Sequence, residues 1–101
     1  MAKPTLMKFR HDDHKGIFHY VVYKDDFVAL SEITTGKIDY IKTHGAIDIT
    51  FDIKEENYDI LGVDVITDEA YVQEVYDFML QTDNTYFKSG IAGLCVLRFH
   101  K

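Results

Sequence analysis

The chain has no tryptophan, one cysteine, one proline and six glycines in 101 residues, and each scarcity removes a class of answer. A single cysteine, Cys95, rules out an intrachain disulfide, so the fold must be held by its core. Its neighbours Leu94, Val96 and Leu97 place that thiol in an apolar strand, away from any base that would activate it. Little proline and glycine, beside a 47% hydrophobic and 28% charged composition, excludes a disordered or low-complexity chain. Long apolar runs are missing as well: each is broken by Asp, Lys or Gly, whereas a membrane-spanning helix takes about 20 apolar residues. Met1 to Met7 lacks the apolar stretch of a signal peptide, which makes the cytoplasm the expected compartment. Basic excess is also absent. With 11 basic and 17 acidic side chains the net charge is −6, and no basic stripe gathers, so nucleic acid and anionic membrane are poor partners.

What is present is a strand-rich pattern in a chain the length of one domain, residues 1–101. Leu6 to Arg10 is a first apolar-leaning segment. The polar stretch His11 to Gly16 reads as a hairpin loop, and Ile17 to Tyr23 follows, rich in β-branched and aromatic residues. Lys24-Asp25-Asp26 turns the chain into a third strand, Phe27 to Leu30. A short helix is predicted from Lys37, with Ile38 and Ile41 on one face and Gly45 just past its end. Ala46 to Ile53 alternates strictly, with Ile47, Ile49, Phe51 and Ile53 on one side, and Tyr58 to Ile66 reads as its partner, with Gly62 as a bulge or close-approach point. Thr67 or Asp68 caps a second helix carrying Tyr71, Val75, Phe78 and Met79 on one face and ending near Leu80 to Thr82. A last strand lies within Gly90 to Phe99. Six strands and two helices, with one strand after the main helix, predict a mainly β fold: a six-stranded antiparallel barrel, closed because closure removes free edges.

The connection Ser31-Glu32-Ile33-Thr34-Thr35-Gly36-Lys37 carries the best chemical signal. Hydroxyls, a glycine and a lysine stand where a strand ends and a helix begins, a place where side-chain donors and the first backbone N–H groups can converge on a phosphate. The same residues also serve an ordinary strand-to-helix junction with Thr34 or Thr35 as N-cap and Lys37 in solvent, and both readings stand on the local sequence alone. His11-Asp12-Asp13-His14 has metal-binding residue types, but a hairpin turn is expected to splay them apart, so no metal site is assigned. Most of the seven Tyr and seven Phe fall at positions a barrel must fill. Tyr86-Phe87, in the loop after the second helix, are expected to cover a barrel mouth or a subunit seam.

The order of these elements, with Phe27-Val28-Ala29-Leu30-Ser31 followed by Thr34-Thr35-Gly36-Lys37-Ile38, then Ala46 to Phe51, then Leu61-Gly62-Val63-Asp64-Val65 and Thr67-Asp68-Glu69, resembles the FMN-binding split barrels. These form the pyridoxamine 5'-phosphate oxidase-like superfamily, which includes small general-stress-protein-like members. The resemblance implies an FMN-binding oxidoreductase acting on a small molecule, and a homodimer with the flavin at the subunit boundary. It gives contacts with the FMN ribityl and phosphate groups to Ser31, Thr34, Thr35 and Lys37, with Gly36 between them, and places His19, Tyr20 or Val21 along the flavin. Ile17 to Tyr23 contains no Lys or Arg to add to the phosphate. A cofactor-free barrel serving as a structural or interaction module is the alternative reading.

Overall fold

The computed structural model describes residues 5–82 and 90–100. Six strands, β1 (Leu6–His11), β2 (His14–Tyr23), β3 (Asp26–Glu32), β4 (Ala46–Thr50), β5 (Asp59–Ile66) and β6 (Leu94–His100), close into a barrel. Their order around it is β1-β2-β3-β6-β5-β4, with β4 returning to β1. Every pairing is antiparallel. The strand after the second helix enters between β3 and β5, which joins what would otherwise be two free edges.

Alternation along the strands divides the apolar residues into two cores. Met7, Phe9, Phe18, Ala29, Ile47, Ile49, Leu61, Val63, Cys95, Leu97 and Phe99 fill the barrel, and Ile38 and Ile41 of helix α1 (Gly36–His44) join them. Residues one step out of phase, Val21, Val28, Leu30, Leu94 and Val96, form an outer core beneath α2 (Glu69–Gln81). The helix meets them with Val72, Val75, Tyr76 and Met79, whereas Tyr71 and Phe78 are only half-buried at its margin. The apolar face expected from Tyr71, Val75, Phe78 and Met79 is therefore rotated: the sheet surface chooses which neighbouring residues go under. Each large side chain buried this way stabilises the fold by about 1.5 to 3 kcal/mol relative to exposure.

Three local expectations need correction. β4 stops at Thr50, where the Thr50 hydroxyl and the Asp52 carboxylate accept hydrogen bonds from the N–H groups of Asp52 and Lys54 and curl the chain into a turn. Phe51 and Ile53 thus leave the ladder, 44% and 36% exposed, and the Phe51 ring packs against Tyr20 and Phe27 instead. The first hairpin is tighter than the stretch His11 to Gly16 implied: only Asp12 and Asp13 form the turn, Asp12 adopts φ 51°, and His11 pairs with His14. The last strand begins at Leu94, after a turn in which Gly93 has φ 75°. Gly62 is a point of close approach, since a Cβ there would lie 2.4 Å from the His100 ring. Tyr86 and Phe87 lie outside the described residues.

Candidate functional site

One end of the barrel is built around α1. β3 carries Ser31 and Glu32 to that end, and after a short turn the chain enters α1 at Gly36, with Thr35 as N-cap and Gly45, at φ 70°, closing the helix through a bond from its N–H to the Ile41 carbonyl. Ile38 and Ile41 seat the helix on the barrel interior, which fixes where the preceding residue, Lys37, can go. Its amine lies over two aromatic faces, 5.8 Å from the Phe9 ring centre and 5.7 Å from that of Phe18. Phe9 and Phe18 themselves stack at 4.6 Å.

Lys37 is electrostatically unusual. Lys8, Arg10 and Arg98 each reach a carboxylate, on Glu56, Asp48 and Asp64 respectively, and Lys15 and Lys24 pair with Glu56 and Glu74. Among the described residues Lys37 is the half-buried cation without a carboxylate at ion-pair distance, and burial pushes its amine below the usual lysine range, partly opposed by Glu32. A desolvated cation without a counter-ion is a receptor for an anion. Two aromatic faces compensate it in part.

The neighbouring hydroxyls divide. Ser31 is buried and donates to the Glu32 carbonyl at 3.2 Å, and Thr35 donates to the same oxygen at 3.3 Å, so both close the strand-to-helix turn. Neither forms a side-chain cap with the helix. Thr34 is exposed, and the first N–H groups of a helix, here those of Gly36 and Lys37, have no intrahelical acceptor. Lys37, Thr34 and this helix start therefore form the anion-receptive part of the predicted stretch, while Ser31 and Thr35 shape it.

His19, Tyr20 and Val21 do not share a face. Tyr20 turns toward the barrel end opposite α1, against Phe27 and Phe51, and Val21 is buried under α2. His19 lies on the outer side of β2, half-buried, and its Nδ1 is buried without a hydrogen-bond partner. Cys95 pairs with Ser31 across β3 and β6, is fully buried, and its thiol is pushed up by that burial, as befits a core residue. Among the described residues no three His, Cys, Asp or Glu side chains stand together as a metal site, and no helix is long and apolar enough to cross a membrane.

The packing of Lys37 on Phe9 and Phe18 has no signature in the sequence, because residues from β1, β2 and α1 meet only when the barrel closes. The pairing of His11 with His14 does have one. Two residues between strand-forming segments are the shortest hairpin connection, and they place their flanks face to face. The two imidazoles are in ring contact, with centres 5.3 Å apart, whereas Asp12 and Asp13 are exposed and the four side chains do not gather as a metal site.

No protein-family model matches the chain. A search of curated proteins also finds no match. Among solved structures, the chain is similar to a crystal structure from Listeria innocua provisionally described as a pyridoxamine 5'-phosphate oxidase, with a TM-score of 0.61 and 9% sequence identity. The match covers 93% of this chain and 79% of that one. At that identity the likeness is one of fold alone: the six-stranded antiparallel barrel of this chain is similar to the fold of that structure.

Proposed function

We propose that the protein binds FMN, with the phosphate at Lys37, and works as an oxidoreductase on a small molecule. The observation that carries this reading is the half-buried Lys37 amine without a carboxylate partner, at the start of a helix in a barrel of this fold. A phosphate there would receive the Lys37 ammonium, the Thr34 hydroxyl and the N–H groups of Gly36 and Lys37, and would supply the counter-charge the chain withholds. Bound FMN would supply hydride transfer, and the protein would supply binding, orientation and electrostatics. On one copy, β2 offers the ring only its outer side around His19, since Val21 is covered and Tyr20 faces elsewhere. A homodimer with the ring between copies follows from this reading.

The cofactor-free module is favoured by a different observation: two of the three hydroxyls in the stretch are spent on the Glu32 carbonyl. Fluorescence titration of the purified protein with FMN separates the two readings. Saturable quenching is expected, and Lys37→Ala is expected to weaken it by roughly 1.5 to 3 kcal/mol, the loss of one charged hydrogen bond. Absence of quenching in the intact protein would favour the module, and equal binding by K37A would refute the placement of the phosphate at Lys37.

A further inference from the structure

The two ends of the barrel are finished differently. α1 closes one, with Ile38 and Ile41 reaching the interior. At the other, the rings of Tyr20, Phe27 and Phe51 meet one another, their centres 5.2 to 5.8 Å apart. Phe51 and Phe27 nevertheless stay partly in water, Phe27 at 40% exposure, and Val22, the direct partner of Phe27 across β2 and β3, is 54% exposed. Since a large side chain presents about 150 to 250 Å², these residues together leave about 300 Å² of apolar surface uncovered, the size at which a patch on a single chain marks a contact surface. The turns that carry them are acidic. Asp25 precedes Phe27, and Asp52 and Glu55 follow Phe51, all three exposed and without an ion-pair partner among the described residues. Of the two lysines in these turns, Lys24 is held by Glu74 of α2 at 3.6 Å, which leaves Lys54 to oppose three carboxylates.

We propose that this end of the barrel docks a segment of another protein that presents apolar side chains between lysines or arginines. The apolar anchors cover Val22 and the rings of Phe27 and Phe51, and the basic groups meet Asp25, Asp52 and Glu55. A basic group can also lie on an exposed ring face, as Lys37 lies over Phe9 at the opposite end. A second copy of this chain fits less well. Two such ends joined would bury about 600 Å² of apolar surface, against about 1,200 Å² or more in a stable interface, and would set the same carboxylates against each other. Because Tyr20, Phe27 and Phe51 lie at the end away from α1, the inference does not depend on FMN at Lys37.

Fluorescence anisotropy of the full chain with two labelled synthetic peptides tests this. One carries leucines and lysines in an amphipathic pattern, and its twin has glutamate in place of every lysine. Saturable binding of the Leu/Lys peptide is expected, about tenfold or more tighter than that of the Leu/Glu twin at low salt, with the difference shrinking as salt is added. Phe51→Ser should weaken the Leu/Lys peptide by about fivefold or more through lost apolar contact. Val22→Lys and Ile17→Lys form a matched pair: both sites are on β2 and about half exposed, five residues or about 17 Å apart along the strand, and both changes add one positive charge. V22K should weaken binding by about tenfold, I17K should leave it near that of the wild type, and K37A should bind the peptide unchanged. Equal affinity for the two peptides, equal effects of V22K and I17K, or a dimer of the chain that V22K dissociates would overturn the proposal.

Discussion

Gly16 offers a sharp test of how the end of the barrel near α1 is packed. It lies opposite Phe9 across β1 and β2, and a Cβ at position 16 would sit 2.4 Å from both Cε2 and Cζ of that ring. The ring cannot retreat easily, because it is buried between Phe18 and His11 with Lys37 over its face. Two effects of Gly16→Ala oppose each other. Restricting the unfolded chain favours Ala by about 0.4 to 1 kcal/mol, whereas forcing a packed ring to move costs about 1 to 3 kcal/mol. The clash should win, with a net loss of about 1 to 2 kcal/mol and a urea midpoint lowered by roughly 1 M. Phe9→Leu shortens the side chain past the atoms that collide, so G16A introduced into that background should stabilise by about 0.4 to 1 kcal/mol, and the double-mutant cycle should show coupling of about 1 to 3 kcal/mol. At Gly62 the same 2.4 Å approach is to the ring of His100, which is half in solvent and can swing away, so Gly62→Ala should cost less. Equal midpoints for wild type and G16A, or additive costs in the cycle, would refute the reasoning.

Two further predictions concern titrating groups. Glu56 accepts hydrogen bonds from Lys15 and Tyr58, both at 2.9 Å, and these hold its carboxyl at about 2. Because the folded value lies below the ordinary 4.5, its contribution to stability is complete above pH 4.5 and is lost as the pH falls toward 2. The difference in urea midpoint between wild type and Glu56→Gln should therefore narrow across that window, and narrow also at high salt, since the group is exposed. Cys95 should resist thiol reagents in the native protein and react on unfolding, because burial both raises its thiol and blocks approach; a stoichiometric native-state reaction in an Ellman assay would contradict this.

Much of the architecture is set by the sequence alone. The period-two runs, the turn residues between them and the two helical patterns determine six strands and two helices, since each depends on residues adjacent in the chain. Gly45 closes α1 as its position predicts, and Cys95 is buried as its neighbours predict. Tertiary structure decides whatever depends on distant segments meeting. The alternation through Ile53 gives no sign that β4 ends at Thr50, because its end is fixed by a side-chain turn and by Phe51 joining Tyr20 and Phe27 across the barrel end. The α2 face is selected by the sheet beneath it. At the candidate site the sequence brings hydroxyls, glycine and lysine into one stretch, but only barrel closure turns Ser31 and Thr35 onto the Glu32 carbonyl and leaves Lys37 over Phe9 and Phe18. The physical reason is range: backbone preference and alternation act over a few residues, whereas desolvation depends on every segment that arrives around a group.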